Sequence, residues 1–209
     1  MIHKILIICG ACCAAQSGFA RDRGGSPSSL MLSITGDIYY ASSQANEVAG
    51  ATYTRKYLNP AVVAAGLGTV VGHVYLGVRY EYWLAGRTMS LAGAETVDTL
   101  KHQSVGGELG YFDSNPRVYY LVSASVHYPL ELKVTNSARS YETTLKPLTY
   151  EGRVAVGIRF STFHSLILEG GYRYQNFGDL VSGATSYLPQ GQSFDLSGGF
   201  IGVGLAFHF

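Results

Sequence analysis

In HVYLGVRYEYWL, residues 73–84, large apolar side chains and polar ones alternate. Val74, Leu76, Val78, Tyr80, Tyr82 and Leu84 fall on one face, and His73, Tyr75, Arg79, Glu81 and Trp83 on the other. A period of two is that of an extended strand, whose successive side chains point to opposite sides of a sheet. A helix would scatter these charges around its circumference. The stretch is therefore a strand with one wholly apolar face and one that carries an arginine and a glutamate.

The same alternation recurs. LMLSITGDIYY (30–40) sets Leu30, Leu32, Ile34, Ile38 and Tyr40 against Ser33, Thr35 and Asp37. A Gly- and Ala-rich stretch near 58–70 has no clear facing. A strand near 99–111 opposes Val105, Leu109 and Tyr111 to Ser104 and Glu108. One over 117–129 opposes Val118, Tyr120, Val122, Val126 and Tyr128 to Ser123, Ser125 and His127. YEGRVAVGIRF (150–160) turns Glu151, Arg153 and Arg159 away from Tyr150, Val154, Val156, Ile158 and Phe160. LILEGGYRYQNF (166–177) does the same with Glu169, Arg173 and Gln175 against Leu166, Leu168, Tyr172 and Tyr174. FIGVGLAFHF (200–209) closes the chain with Ile201, Val203, Leu205, Phe207 and Phe209 on one face.

Eight such strands are joined by connections of alternating length. Long polar segments follow the odd strands: ASSQANEVAGATYTRK (41–56), AGRTMSLAGAETVD (85–98), ELKVTNSARSYETTLK (131–146) and GDLVSGATSYLPQGQS (178–193). Short turns follow the even ones, near Gly72, at DSNP (113–116) and at STFHS (161–165). Up-and-down membrane barrels have this rhythm, with an apolar outer band and a polar interior. A soluble eight-stranded barrel would bury the apolar face and show water the charges, whereas here the charges share one face and aromatic residues gather near strand ends on the other, as at membrane interfaces. Composition agrees. Charged residues are only 14% of the 209, with 26 Gly, 16 Tyr and 6 Pro. A formal charge of +1 gives no basic field for nucleic acid.

MIHKILIICGACCAAQSGFA (1–20) has a lysine, an apolar core from Ile5 to Cys13 and small residues at Gly18 and Ala20. This is the pattern of a secretory signal cleaved after Ala20. All three cysteines lie inside it, so the mature chain would hold no thiol or disulfide.

The signal-like start, EGGYRYQNFGD (169–179) on the seventh strand and the alternating last strand ending in Phe209 resemble the small eight-stranded outer-membrane barrels of Gram-negative bacteria, of the OmpA-like and opacity-protein (surface antigen) type. The resemblance implies a porin-like barrel with both termini periplasmic and long loops outside the cell. It also implies that the terminal aromatics, Phe207 and Phe209, are part of the signal read by the barrel-assembly machinery.

The polar face collects Asp37, Arg79, Glu81, Glu108, Glu151, Arg153, Arg159, Glu169 and Arg173. An eight-stranded barrel has room inside only for its own side chains, and unpaired buried charges are costly, so these residues are expected to form a salt-bridged plug. Arg159 and Glu169, placed diagonally across the STFHS hairpin, are its expected pair. Ser125 and His127 could make a nucleophile and base, yet both are expected to face the lumen with no evident third member. His73, His102, His164 and His208 have no metal-ligand spacing, and no cofactor motif is present.

The expectation is thus an all-β protein: residues 1–20 a signal peptide, and 21–209 an eight-stranded antiparallel up-and-down transmembrane β-barrel. Its expected role is structural or surface-interacting (adhesin-like), in the outer membrane, as a monomer and not an enzyme. Expected partners are outer-membrane lipid and lipopolysaccharide, the assembly machinery, and a host surface or phage at the loops. The alternatives are a narrow pore for ions or small solutes and an enzyme modifying lipid A.

Overall fold

The computed structural model describes residues 29–41, 51–55, 60–136, 139–143, 146–188 and 192–209. The signal segment 1–20, its cleavage point and most of the first long connection lie outside them. Among the described residues every regular element is a strand.

Eight long strands form the wall: β1 (Ser29–Ala41), β2 (Ala61–Val71), β3 (Val74–Leu91), β4 (Ala94–Ser114), β5 (Val118–Thr135), β6 (Thr149–Arg159), β7 (His164–Tyr174) and β8 (Gly198–His208). Each pairs antiparallel with the next. The ring closes where β8 pairs with β1, from Met31 opposite His208 to Ala41 opposite Gly198. Closure removes the free edge that a terminal strand would otherwise expose.

The pleat sorts side chains as the sequence alternation requires. Ile34, Ile38 and Tyr40 of β1, Leu76, Val78 and Leu84 of β3, and Ile201, Val203 and Leu205 of β8 are exposed outward, while Asp37, Arg79, Glu81, Glu151, Arg153, Glu169 and Arg173 are at most 5% exposed inside. β2, ambiguous from sequence, turns Val62, Ala64 and Val70 inward and Val63 and Val71 outward. His73, placed with the inward set from sequence, lies exposed in the β2–β3 turn, where its Nδ1 meets the Phe112 carbonyl at 3.0 Å.

Two of the long connections are not loops. β3 continues to Leu91 and β4 starts at Ala94, so most of AGRTMSLAGAETVD is a hairpin closed by Ala92 and Gly93, both at positive φ (51° and 82°). That two-residue geometry matches the right-handed twist of the flanking strands. β5 likewise passes Pro129 and runs to Thr135. The register slips between Gln103 and Ser104, which face Glu131 and Pro129. A bulge is one of the few places a sheet accepts proline, and β6 no longer pairs with β5 beyond His127. A short strand, Ser140–Thr143, then folds back on β5. The segment after β7 adds two more, Leu180–Ser182 and Thr185–Ser186, joined to this rim.

Candidate functional site: the barrel interior

The inward side chains are stacked in three layers. At the short-turn end Met31, Val70, Tyr75, Phe112, Tyr119, Leu121, Ala155, Ile167 and Ala206 form an apolar cluster. At the long-hairpin end a larger one is built from the wall (Tyr39, Val62, Trp83, Leu100, Leu132, Val134 and Phe200) together with Phe177, Leu180, Tyr187, Leu188, Phe194 and Leu196 of the β7–β8 connection. That connection turns inward and caps the mouth. Phe177 and Phe194 exchange backbone hydrogen bonds with the facing chain, Phe177 N–H to Phe194 O at 2.9 Å and Phe194 N–H to Gly178 O at 2.6 Å.

Between the apolar layers lie the charges. Arg79 donates from Nη2 to Asp37 Oδ2 (3.0 Å), Thr35 Oγ1 (3.0 Å) and Glu169 Oε1 (2.6 Å), and from Nε to Glu81 Oε1 (3.1 Å). Arg153 bridges Glu169 Oε2 (2.6 Å) and Glu108 Oε1 (2.5 Å), and Ser123 adds a hydroxyl to the latter at 2.5 Å. Arg173 holds Glu81 (Nη2 to Oε1, 2.5 Å) and Glu151 (Nε to Oε2, 2.9 Å), with its guanidinium 4.9 Å from the Trp83 ring centre. Each arginine thus joins carboxylates from different strands. Removing one member of such a buried set leaves a charge without compensation.

Arg159 is not a member. In the β6–β7 hairpin it faces Ser165, and Glu169 faces Ala155, so the diagonal neighbour of Glu169 is Arg153. Arg159 instead donates from Nη1 to the Asn115 carbonyl at 3.1 Å in the neighbouring short turn. The expected Arg159–Glu169 bridge is replaced by Arg153–Glu169. Charges alone do not fill the lumen either, because apolar side chains close it above and below.

Several polar residues of the interior were not singled out from sequence. Arg87 and Asp98, within the β3–β4 extension, pair at 2.9 Å, and Tyr187 of the cap donates its hydroxyl to Asp98 at 2.6 Å. His102 meets the Glu131 carbonyl through Nδ1 (2.9 Å) and Gln175 through Nε2 (2.6 Å). The signal for Arg87 and Asp98 was present in the inward parity of odd residues on β3 and even residues on β4, continued past Leu84 and before Thr99.

Ser125 and His127 do meet, Oγ to Nε2 at 2.8 Å, and both are buried. His127 Nδ1 has no hydrogen-bond partner, so no carboxylate orients the imidazole as a hydrolytic triad requires. Phe209 is on the outer surface, its backbone N–H and carbonyl bonded to Leu30 at 2.9 and 3.1 Å, and Phe207 packs edge-on against His164 with ring centres 5.3 Å apart.

No protein-family model and no curated protein sequence matches the chain. Among solved structures, the outer membrane protein OprG from Pseudomonas aeruginosa superposes with a TM-score of 0.62, at 8% identity over 88% of this chain and 97% of that one. Neisserial surface protein A (NspA) gives 0.54, at 13% identity over 90% of this chain and 100% of that one. The chain therefore has the fold of the small eight-stranded outer-membrane barrels.

Proposed function

We propose that this chain is an integral outer-membrane barrel with a structural or surface-contact role, its long hairpins outside the cell and both termini in the periplasm. One observation carries the reading: a continuous apolar outer wall encloses an interior filled by a buried ion-pair network between two apolar layers. The wall suits hydrocarbon, and buried side chains of the described residues crowd the interior. Strands of 11 residues such as β6, β7 and β8 match the length a tilted strand needs to cross a bilayer, about 9–11 residues.

The outward hairpins support contact over transport. The β3–β4 and β5 extensions are ordered sheet, and exposed polar groups tie β5 to the strand Ser140–Thr143 and that rim to the β7–β8 connection, as in Lys133 to Glu142 at 3.2 Å and Arg139 Nη1 to Thr185 Oγ1 at 2.6 Å. A host surface, a phage or lipopolysaccharide would meet this rim. The assembly machinery would read Phe207 and Phe209 during biogenesis.

The test is topological. A short epitope inserted between Ala92 and Gly93 should be labelled on intact cells and fractionate with the outer membrane, and one inserted at Asn115 should be labelled only after the envelope is opened. Labelling of Asn115 alone on intact cells would invert the orientation; recovery of both in the soluble fraction would end the membrane reading.

A further inference from the structure

The charged layer does not balance. Asp37, Glu81, Glu108, Glu151 and Glu169 are buried with Arg79, Arg153 and Arg173, and Arg159 points to the Asn115 carbonyl outside the layer. Arg87, nearer the mouth, is matched by Asp98. Among the described residues five carboxyl groups therefore face three guanidiniums between two apolar layers, so the guanidiniums alone do not balance the set.

Among the unmet buried polar atoms of the layer, Asp37 Oδ1 stands apart and Glu151 Oε1 and His127 Nδ1 belong to one cluster of residues. Glu151 Oε1 and His127 Nδ1 are buried and accept or donate nothing. His127 is fully buried, Glu151 is 4% exposed and Glu81 1% exposed. Glu81, His127 and Glu151, from β3, β5 and β6, each present a ligand atom such that all of these lie within 4.8 Å of one another. A cation with bonds of about 2.0–2.2 Å to nitrogen and oxygen, arranged tetrahedrally, holds its ligand atoms about 3.3–3.6 Å from each other, so the three close around it by up to about 1.5 Å through side-chain rotation. The imidazole is also held in place: its ring lies across Gly106, where a Cβ would come within 2.6 Å of it.

We propose that Glu81, His127 and Glu151 bind one divalent transition-metal cation inside the barrel. The charge is of the right sign, since a cation adds positive charge beside carboxylates that outnumber the guanidiniums. The donor set fits as well: one imidazole with two carboxylates favours Zn2+ and its first-row neighbours over Mg2+ or Ca2+, which take oxygen ligands. Glu151 Oε1 and His127 Nδ1 are free to take the metal, while both oxygens of Glu81 are engaged by Arg79, Arg173 and Trp83, so Glu81 joins by giving up one of these contacts. With apolar layers on both sides, the ion is loaded as the barrel folds and is released only when it opens. Its role is to join three strands of the wall.

The experiment refolds the full mature chain in detergent micelles with ZnCl2, with MgCl2 or with EDTA, then exchanges each sample into chelator-free buffer and measures metal per folded chain. The expected result is about one zinc per chain, no retained magnesium, and an unfolding temperature that is raised in the zinc sample over the EDTA sample. Glu151→Gln and His127→Gln should fold and lose both the zinc and the shift, whereas His73→Gln, at the exposed turn, should lose neither. Folded wild-type protein without zinc, or Glu151→Gln retaining as much zinc as wild type, would overturn the proposal. Should His127→Gln fail to fold, the wild-type stoichiometry and Glu151→Gln still decide.

Discussion

At the scale of single residues, the interior is a set of shared charges, and its members should not be equally replaceable. Arg153 serves Glu108 and Glu169 while 4% exposed; Arg159 donates to a carbonyl in an exposed turn. Arg153→Ala should cost about 3–5 kcal/mol, the usual effect of stranding a buried partner, and Arg159→Ala, at a half-buried site where no carboxylate is stranded, about 1 kcal/mol or less. Urea unfolding followed by Trp83, the only tryptophan and fully buried, reads both. Glu169→Gln added to Arg153→Ala should recover part of the loss, because neighbours that share a partner are not additive. Equal losses for the two arginines would refute the assigned network. Packing gives a second contrast. The Tyr119 ring lies over Gly157, where a Cβ would sit 1.9 Å from it, and beside Gly152 nothing lies within 4 Å. Gly157→Ala should destabilise by about 1–3 kcal/mol or more and Gly152→Ala hardly at all, by the same measurement.

Membership of the interior was legible in sequence, because an apolar outside and a polar inside impose opposite demands on alternate residues of one strand. Partnership was not. Pairing Arg159 with Glu169 needed the register of the STFHS hairpin, and a shift of two residues in the turn moves every diagonal contact from one arginine to the next. The register that the structure shows, Arg159 opposite Ser165, hands Glu169 to Arg153.

At the scale of elements, the outer face of a strand should respond to charge according to depth. Val203 and Val97 both face outward, 51% and 57% exposed. Val203 neighbours Gly202, which is level with Asp37 and Glu169 in the middle layer, whereas Val97 belongs to the β3–β4 extension beyond the wall. Val203→Arg should lose about 2–4 kcal/mol and Val97→Arg about 0–1 kcal/mol, compared in lipid vesicles by urea titration. Equal effects would mean that the wall does not face hydrocarbon. Deleting Phe209 should lower the yield of heat-modifiable barrel in cells with little change in the stability of what folds, since it removes an exposed ring and not a core contact; unchanged yield would make the terminal ring ordinary packing.

The same elements show where sequence reading stopped short. Pro129 and the polar run after Leu84 looked like strand ends, since proline cannot donate to a ladder and Arg, Thr and Ser are common in loops. β3 keeps its parity, whereas β5 switches from odd to even inward residues at the bulge. Leu132 and Val134 stay inside after the bulge, and Arg87 and Met89 follow Trp83 and Ala85. What overrides the local signal is the cap: Leu180, Tyr187 and Phe194 provide an apolar surface for the extended hairpins to bury against, and nothing local to β3 or β5 announces it.

At the scale of the whole molecule, outer wall, charged layer and apolar clusters give an outer-membrane-type barrel, and the proposed reading is that its interior is sealed. The short-turn cluster and the cluster joined by the described part of the β7–β8 connection flank the charged layer, and the arginines between them are engaged by carboxylates on other strands. The most direct measurement is electrical: purified, folded protein inserted into planar bilayers, with current recorded at symmetric 1 M salt (roughly a 3 Å Debye length) before and after insertion is confirmed by protease protection. The expected current stays at the bare-bilayer baseline, and Leu188→Ala with Phe194→Ala, which thin the cap, should leave it there because the charged layer and the short-turn cluster still seal the lumen. Discrete, sustained steps from the wild-type barrel would contradict a sealed interior and make it a pore.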